Sequence, residues 1–255
     1  MIHPTAIVSP DAKIGTDCEI GPYSIIGPGV TLGDRCRLMH HVNLEGPSVF
    51  GDDNLFHPFC TIGTKTQDLK YKGEPTLLEV GSHNEFREFA SVNRGTAPGE
   101  KTVIGSHNHF LTGSHVAHNC VVGNHCIFSN NGSLAGHVIV EDYVIVGGLS
   151  AVHQFCRLGQ HCMIGGCSRI SQDVPPYFIA VGNDAEVRAV NVVGLRRRGF
   201  TEEQIAILHR AYRGLYDADL NTTQALTQLE EELGVHPEVR ILIAFVRGSQ
   251  RGIIR

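Results

Sequence analysis

The chain has 255 residues, enough for one large domain or two modest ones, and 42% of them are hydrophobic, so a substantial core is available. A formal net charge of −5 argues against a general polyanion or nucleic-acid binder, although a local basic patch remains open. No stretch nears the roughly 20 apolar residues that span a bilayer. The opening MIHPTAIVSP lacks a charged segment followed by a long apolar run, so no signal peptide is expected and a cytoplasmic protein is.

Along the chain an aliphatic or aromatic residue recurs every sixth position. The series runs Ile2, Val8, Ile14, Ile20, Ile26, Leu32, Leu38, Leu44, Phe50, Phe56 and Ile62, then Val80, Phe86 and Val92, then Ile104 and every sixth residue to Ile170. Only Asp68, Glu74 and Pro98 interrupt it. Glycine often follows the apolar residue, as at Gly15, Gly21, Gly27 and Gly33. Six-residue units of this kind predict short strands joined by corners, three units to a triangular coil of about 18 residues. Stacked at the ordinary strand spacing of about 4.8 Å, the coils make a parallel β-helix with the recurring residues inside. Periodicity alone leaves its hand open.

Two segments break the rhythm and return in register, 64–79 (TKTQDLKYKGEPTLLE) and 96–103 (TAPGEKTV). They read as loops leaving the coil, and insertions on a solenoid gather on its binding face. Seven of the eight cysteines sit two places before a recurring residue, Cys167 being the exception. A repeated site for a small, soft side chain reads as structural. The repeat ends near SQDVPPY (171–177), whose prolines stop the strands. The remainder reads as helical. Residues 186–199 form a first helix ending at Gly199. A second opens on the capping-box pair Thr201 and Gln204. A third closes at Gly234 as a left-handed cap, and a fourth starts at Pro237. The fold class is therefore mainly β, a parallel β-helix over 1–183 followed by a small helical domain over 184–255. Its flat faces invite self-association.

With 18 residues to a coil, positions n and n+18 lie above one another. His118, Gly136 and Gln154 then form one column and Asn119, His137 and Phe155 the next, with Ala117, Ala135 and His153 on the other flank. Glycine above a histidine leaves space for a pocket. Asn130, Gly148 and Gly166 form another column, with Gly147 and Gly165 beside it, and paired glycines in successive coils suit a groove for a long apolar ligand. Of the 15 histidines, His41, His83, His107, His125, His137 and His161 share one repeat position, and most of these read as solvated surface residues.

Between these columns the ordered motifs LKYKGEPT, NRGT, HVAHNC, LAGHV, AVHQFC, GGCS, QDVPPY and LRRRGF resemble those of the UDP-N-acetylglucosamine 3-O-acyltransferases, which begin lipid A biosynthesis. The resemblance runs from the first residues to the final RGIIR. It implies a left-handed β-helix, a homotrimer, and transfer of an R-3-hydroxyacyl chain from acyl carrier protein to the sugar 3-position. The donor would be the carrier's phosphopantetheine thioester, with no other cofactor and no metal. It implies that His118 is the general base and that the Gly136 N–H stabilises the oxyanion. His115, His137, His153 and Gln154 would position sugar and phosphate, Asp68 and Lys70 the sugar nucleotide, and Asn191, Arg197 and Arg198 the uridine and phosphate. Arg196 to Arg198 would also suit an acidic carrier protein. Gly148, Gly165 and Gly166 would form the acyl groove, the Gly166 position setting chain length.

The chain departs from the family at two places. Asn119 stands where an acidic residue commonly follows the base, and Asn93 where NRGT commonly begins with histidine; both remain candidate substrate contacts. Their substitution raises the alternative that the acceptor is the 3-amino analogue, since an amine needs less help from a base than a hydroxyl. A zinc hydratase on the same scaffold would use histidines such as His115 and His118. Neither it nor a coenzyme A acetyltransferase explains the glycine groove, and a scaffold without activity leaves the His118 column to coincidence.

Overall fold

The computed structural model describes residues 1–216 and 219–255. The six-residue rhythm becomes a left-handed parallel β-helix with three sheets of nine, eight and ten strands. In an uninterrupted coil Ile7 pairs with Ile25, 18 residues on. At the insertions Thr61 pairs with Ser91, 30 on, and Ser91 with His115, 24 on. The surplus in each case is a whole number of repeats, so the columns stay in register.

The recurring residues fill the interior. Phe56, Phe86, Phe110 and Phe128 stack face to face at 5.3, 4.9 and 4.8 Å between ring centroids. Most corners carry one residue in the left-handed region, and the six histidines sharing a repeat position all occupy it, at φ 57° to 60°. Histidine is enriched there among non-glycine residues. Stacking supports the strained turn: His83, His107, His125, Tyr143 and His161 form a ladder with centroids 4.7 to 4.8 Å apart. These histidines therefore have a local conformational reason to be present, apart from any chemistry.

The position two before the recurring residue also has a physical logic. Its side chain donates to a carbonyl of the next coil: Cys36 Sγ to Gly51 O at 3.2 Å, Cys120 Sγ to Ala135 O at 3.1 Å, Ser150 Oγ to Gly165 O at 2.8 Å. The seven cysteines at this position are buried, whereas Cys167 is exposed. Where the coils carry insertions the same column holds Asn54, Asn84 and Asn108, all buried. Asn84 donates to Asn54 Oδ1 and Gly105 O, and its Oδ1 accepts from both nitrogens of Asn108. Removing it strands several buried polar groups at once. Asn84→Ala is expected to lower unfolding stability by about 3 kcal/mol; a urea midpoint shift worth under about 1 kcal/mol would rule this ladder out as a mainstay of the fold.

The C-terminal part corrects two expectations. Residues 186–190 are not helical: Ala185–Val190 is a strand paired antiparallel with Phe178–Gly182 on the end of the third sheet. Val187 and Val190 are buried at a spacing of three, which mimics a helix face in sequence. Helix α1 (Val192–Arg197) starts only after Asn191, and Gly199 follows it at φ +84°. Helices α2 (Glu202–Leu215) and α3 (Thr222–Leu233) both open on full capping boxes, and α4 (Pro237–Arg247) has proline in its first turn. Gly234 does not take a left-handed cap; its φ is −65°. The chain end is bolted to the β-helix through buried Asp173, whose carboxylate accepts from Arg157 N at 2.8 Å and Ser249 Oγ at 2.7 Å. No helix among the described residues is long and apolar enough to cross a membrane.

Candidate active site

Both insertions leave the coil where the first sheet turns toward the second, and His118 sits at that same corner one coil further on. The loops are tied together: Thr96 Oγ1 donates to Thr66 Oγ1 at 2.9 Å, and Asn93 Nδ2 donates to Thr64 Oγ1 and Lys65 O. So tethered, the first loop brings Asp68 and Lys70 over the outer face of the first sheet. They close a pocket of about 560 Å³ whose floor is His115, His118, Gly136 and Gln154, with the small side chains of Ala117, Ser133, Ala135 and Ala151 between.

His118 is 14% exposed. Its ring lies where a side chain on Gly136 would be: a Cβ there would stand 2.5 Å from Cε1 and 2.6 Å from Nε2. The column inferred from the 18-residue coil is thus present, and glycine is required in it by the ring below. Gly136 N–H makes no hydrogen bond among the described residues, which leaves a free donor beside the ring. His118 Nδ1 contacts Asn119 Oδ1 at 2.9 Å, and Nε2 lies 4.0 Å from Asp68 Oδ2. Asn119 in turn donates through Nδ2 to Glu100 Oε2 at 2.7 Å. His115 Nδ1 pairs with Ser91 Oγ at 2.8 Å, and burial, then the charge of His118, disfavours its protonation.

Other expected site residues lie outside the pocket lining. His137 meets the His118 ring edge-on at 5.2 Å and stacks on Phe155 at 4.7 Å, outside the pocket lining. Exposed His153 turns Nδ1 toward Gln154 O. Asn93 is 2% exposed and anchors the first loop, so it has no surface to offer a ligand. Asn191 is 4% exposed; its Oδ1 caps α1 and its Nδ2 holds His161 O at 3.0 Å. Arg196 pairs with Glu202 at 2.7 Å, whereas the Arg198 guanidinium sits 4.8 Å over Tyr143 on the aromatic ladder. Burial, then the charge of Arg198, pushes His161 down to about 4. Within one chain Asn191, Arg197 and Arg198 are therefore not gathered with His118.

The glycines divide into two kinds. At Gly147 and Gly165 a side chain would strike neighbouring atoms, Ile164 O at 2.5 Å and Val181 Cγ2 at 2.6 Å. Their bareness admits the next coil, and the space at Gly165 is filled by Val181, so Gly165 contributes no groove. Gly166 is open, since a Cβ there would meet only Gly148 O, at 3.4 Å, whereas one on Gly148 would press on Asn130 O at 3.2 Å. Glu100, Gln67 and Ser91 were not anticipated. Nothing periodic marks them, because two lie in insertions and Ser91 matters only through its neighbour.

The comparisons with known proteins define the chain as an acyltransferase. Residues 1–34 and 11–46 match the family described as bacterial transferase hexapeptide (six repeats), and residues 173–254 match Udp N-acetylglucosamine O-acyltransferase; Domain 2. LpxA from Acinetobacter baumannii is 44% identical, with a TM-score of 0.94, over 100% of this chain and 99% of that one. The UDP-N-acetylglucosamine O-acyltransferase of Moraxella catarrhalis is 39% identical (TM-score 0.94; 100% and 99% covered), and the UDP-N-acetylglucosamine acyltransferase of Francisella novicida 33% (0.96; 100% and 94%). The chain belongs to the UDP-N-acetylglucosamine O-acyltransferase family.

Proposed function

We propose that the protein moves an R-3-hydroxyacyl chain from the phosphopantetheine thioester of acyl carrier protein to the 3-hydroxyl of UDP-N-acetylglucosamine, with His118 as general base. The observation that carries this is the His118 ring lodged under Gly136, beside a free backbone N–H. His118 Nε2 takes the hydroxyl proton as the oxygen attacks the thioester carbonyl carbon. Negative charge on the carbonyl oxygen is met by the Gly136 N–H. The new C–O bond stays, the C–S bond breaks, and the proton passes from His118 to the departing thiolate. Asp68 and Lys70 hold the sugar nucleotide over the base.

The acyl chain lies across the outer face of the first sheet, over Ser133 and Ala151, toward Gly148 and Gly166 at the sheet's far corner. A homotrimer completes the site, because a neighbouring chain would bring Arg197 and Arg198 to a pocket that its own chain leaves without them. These two arginines also suit an acidic carrier protein, a partner that fits a cytoplasmic reaction. Of the two asparagines that suggested an amine acceptor, Asn93 is engaged inside the protein, and Asn119 links the imidazole to a carboxylate. Both points favour the hydroxyl. An acyl-transfer assay offering UDP-N-acetylglucosamine and its 3-amino analogue tests this: acylation of the amino sugar alone would overturn it.

Gly166→Met should fold normally, since the corner has room for a side chain. It should shift preference to shorter hydroxyacyl donors by about tenfold or more, several methylenes being displaced from their slot. Donors of graded length would show this, and an unchanged preference would remove Gly166 from the acyl path.

A further inference from the structure

We propose that Glu100 is a positioning residue for the His118 base, acting through the side-chain amide of Asn119. This rests on the reading of His118 as the base. The loop residue Glu100 presents a carboxylate to Asn119 Nδ2 at 2.7 Å, and Asn119 Oδ1 faces His118 Nδ1 at 2.9 Å. A carboxylate only accepts hydrogen bonds. The Asn119 amide must therefore turn its NH₂ toward Glu100 and its oxygen toward His118. That oxygen also only accepts, so the imidazole proton resides on Nδ1. Nε2 is left with its lone pair, on the side facing the pocket and Asp68. Without Glu100 the amide is free to flip, and its NH₂ would then favour the opposite tautomer, which cannot take a proton at Nε2.

The arrangement is braced at both ends. Asn119 N donates to Thr102 Oγ1 at 2.8 Å, which fixes the corner, and Ala97 N donates to the same Glu100 oxygen at 2.9 Å. The Ala97 N–H first, then the Asn119 amide, hold the Glu100 carboxyl below its usual range, so it is ionised at neutral pH. Carboxylate, amide and imidazole thus form the orienting series of a catalytic triad with an amide inserted. The acidic residue absent after the base is supplied from the second insertion. The other titratable groups facing His118 are Asp68 and Lys70 from the first loop, His115 on its own strand and His137 on the next coil.

The test compares Glu100→Gln, Glu100→Ala, Asn119→Asp and the double variant Glu100→Ala/Asn119→Asp with His118→Ala. Each is assayed for kcat, for KM of both substrates and for the pH profile of kcat/KM. Glutamine can keep both hydrogen bonds without the charge. Glu100→Gln should lower kcat about tenfold, leave KM unchanged and move the acidic limb of the profile to lower pH. Glu100→Ala should lose more. Asn119→Asp alone sets two carboxylates against each other and should gain nothing, yet in the Glu100→Ala background it places a carboxylate directly on Nδ1 and should restore most of the loss. A role confined to holding the loop would raise KM without moving the limb. Wild-type kcat and an unmoved limb in Glu100→Gln, or no rescue in a folded double variant, would overturn the proposal while His118→Ala remained inactive. Should His118→Ala keep its turnover, the base itself is misassigned and both readings fall.

Discussion

His118→Ala is expected to lower kcat by about a thousandfold or more, from the loss of general-base assistance together with the positioning the ring gives the acceptor. Stability should hardly change. The ring sits outside the aliphatic columns, against Gly136, Asn119 and the edge of the His137 ring. Shortening it leaves a wider pocket floor, with no cavity inside the coil. Binding of UDP-N-acetylglucosamine, measured by calorimetry, should persist within about tenfold, since Asp68, Lys70 and Gln154 still line the pocket. The decisive comparison is single-turnover acyl transfer beside thermal unfolding. A loss below about tenfold with an intact fold would end the case for His118 as base.

Gly136→Ala should come close to that loss with a single methyl group. A Cβ at 2.5 Å from the imidazole is well inside van der Waals contact, so something must move. If the ring swings away, it gives up Asn119 Oδ1 and aims Nε2 elsewhere. If the corner shifts instead, the Gly136 N–H leaves the oxyanion position. Either displacement approaches 1 Å, which at a reacting centre costs on the order of a hundredfold. Gly136 is not among the glycines with positive φ, so alanine's backbone preference is satisfied and the coil should form. The double variant Gly136→Ala/His118→Ala should be little worse than His118→Ala alone, because groups acting as a unit are not additive. Wild-type rates in Gly136→Ala would show that the ring has free space the structure does not reveal.

What could be read from sequence was whatever the coil repeats. The interior columns and the His118–Gly136–Gln154 stack follow from counting sixes and eighteens; the loops, read as 64–79 and 96–103, are bounded differently, because Leu77–Val80 and Lys101–Ile104 are strands and the second loop leaves directly after Asn93. Reading failed where a residue's role depends on a partner outside that count. Val181 fills the space beside Gly165 from a strand that has left the repeat. Asn191 spends its amide on a helix cap and on His161. Val187 and Val190 bury one face at a spacing shared by helices and by a bulged strand. Glu100 reaches Asn119 across 19 residues, a separation that belongs to neither the six nor the eighteen. The histidines at the corners read as surface residues, and the structure adds the reason they are abundant, which is that the left-handed turn tolerates them.

Each coil is bonded only to the one before and the one after it. Val8 and Ile14 in the first coil remain half-buried, whereas Val116, beside the base, is fully enclosed. The open end is therefore where disorder enters, as at the loose end of a wound spring. From there it must unwind five coils before reaching the strand that carries His115, since that strand is sixth in its sheet. The opposite end is stoppered by the helices and by Asp173. The chemistry thus sits in the insulated middle of a one-dimensional object, where fraying is filtered out by the turns in between.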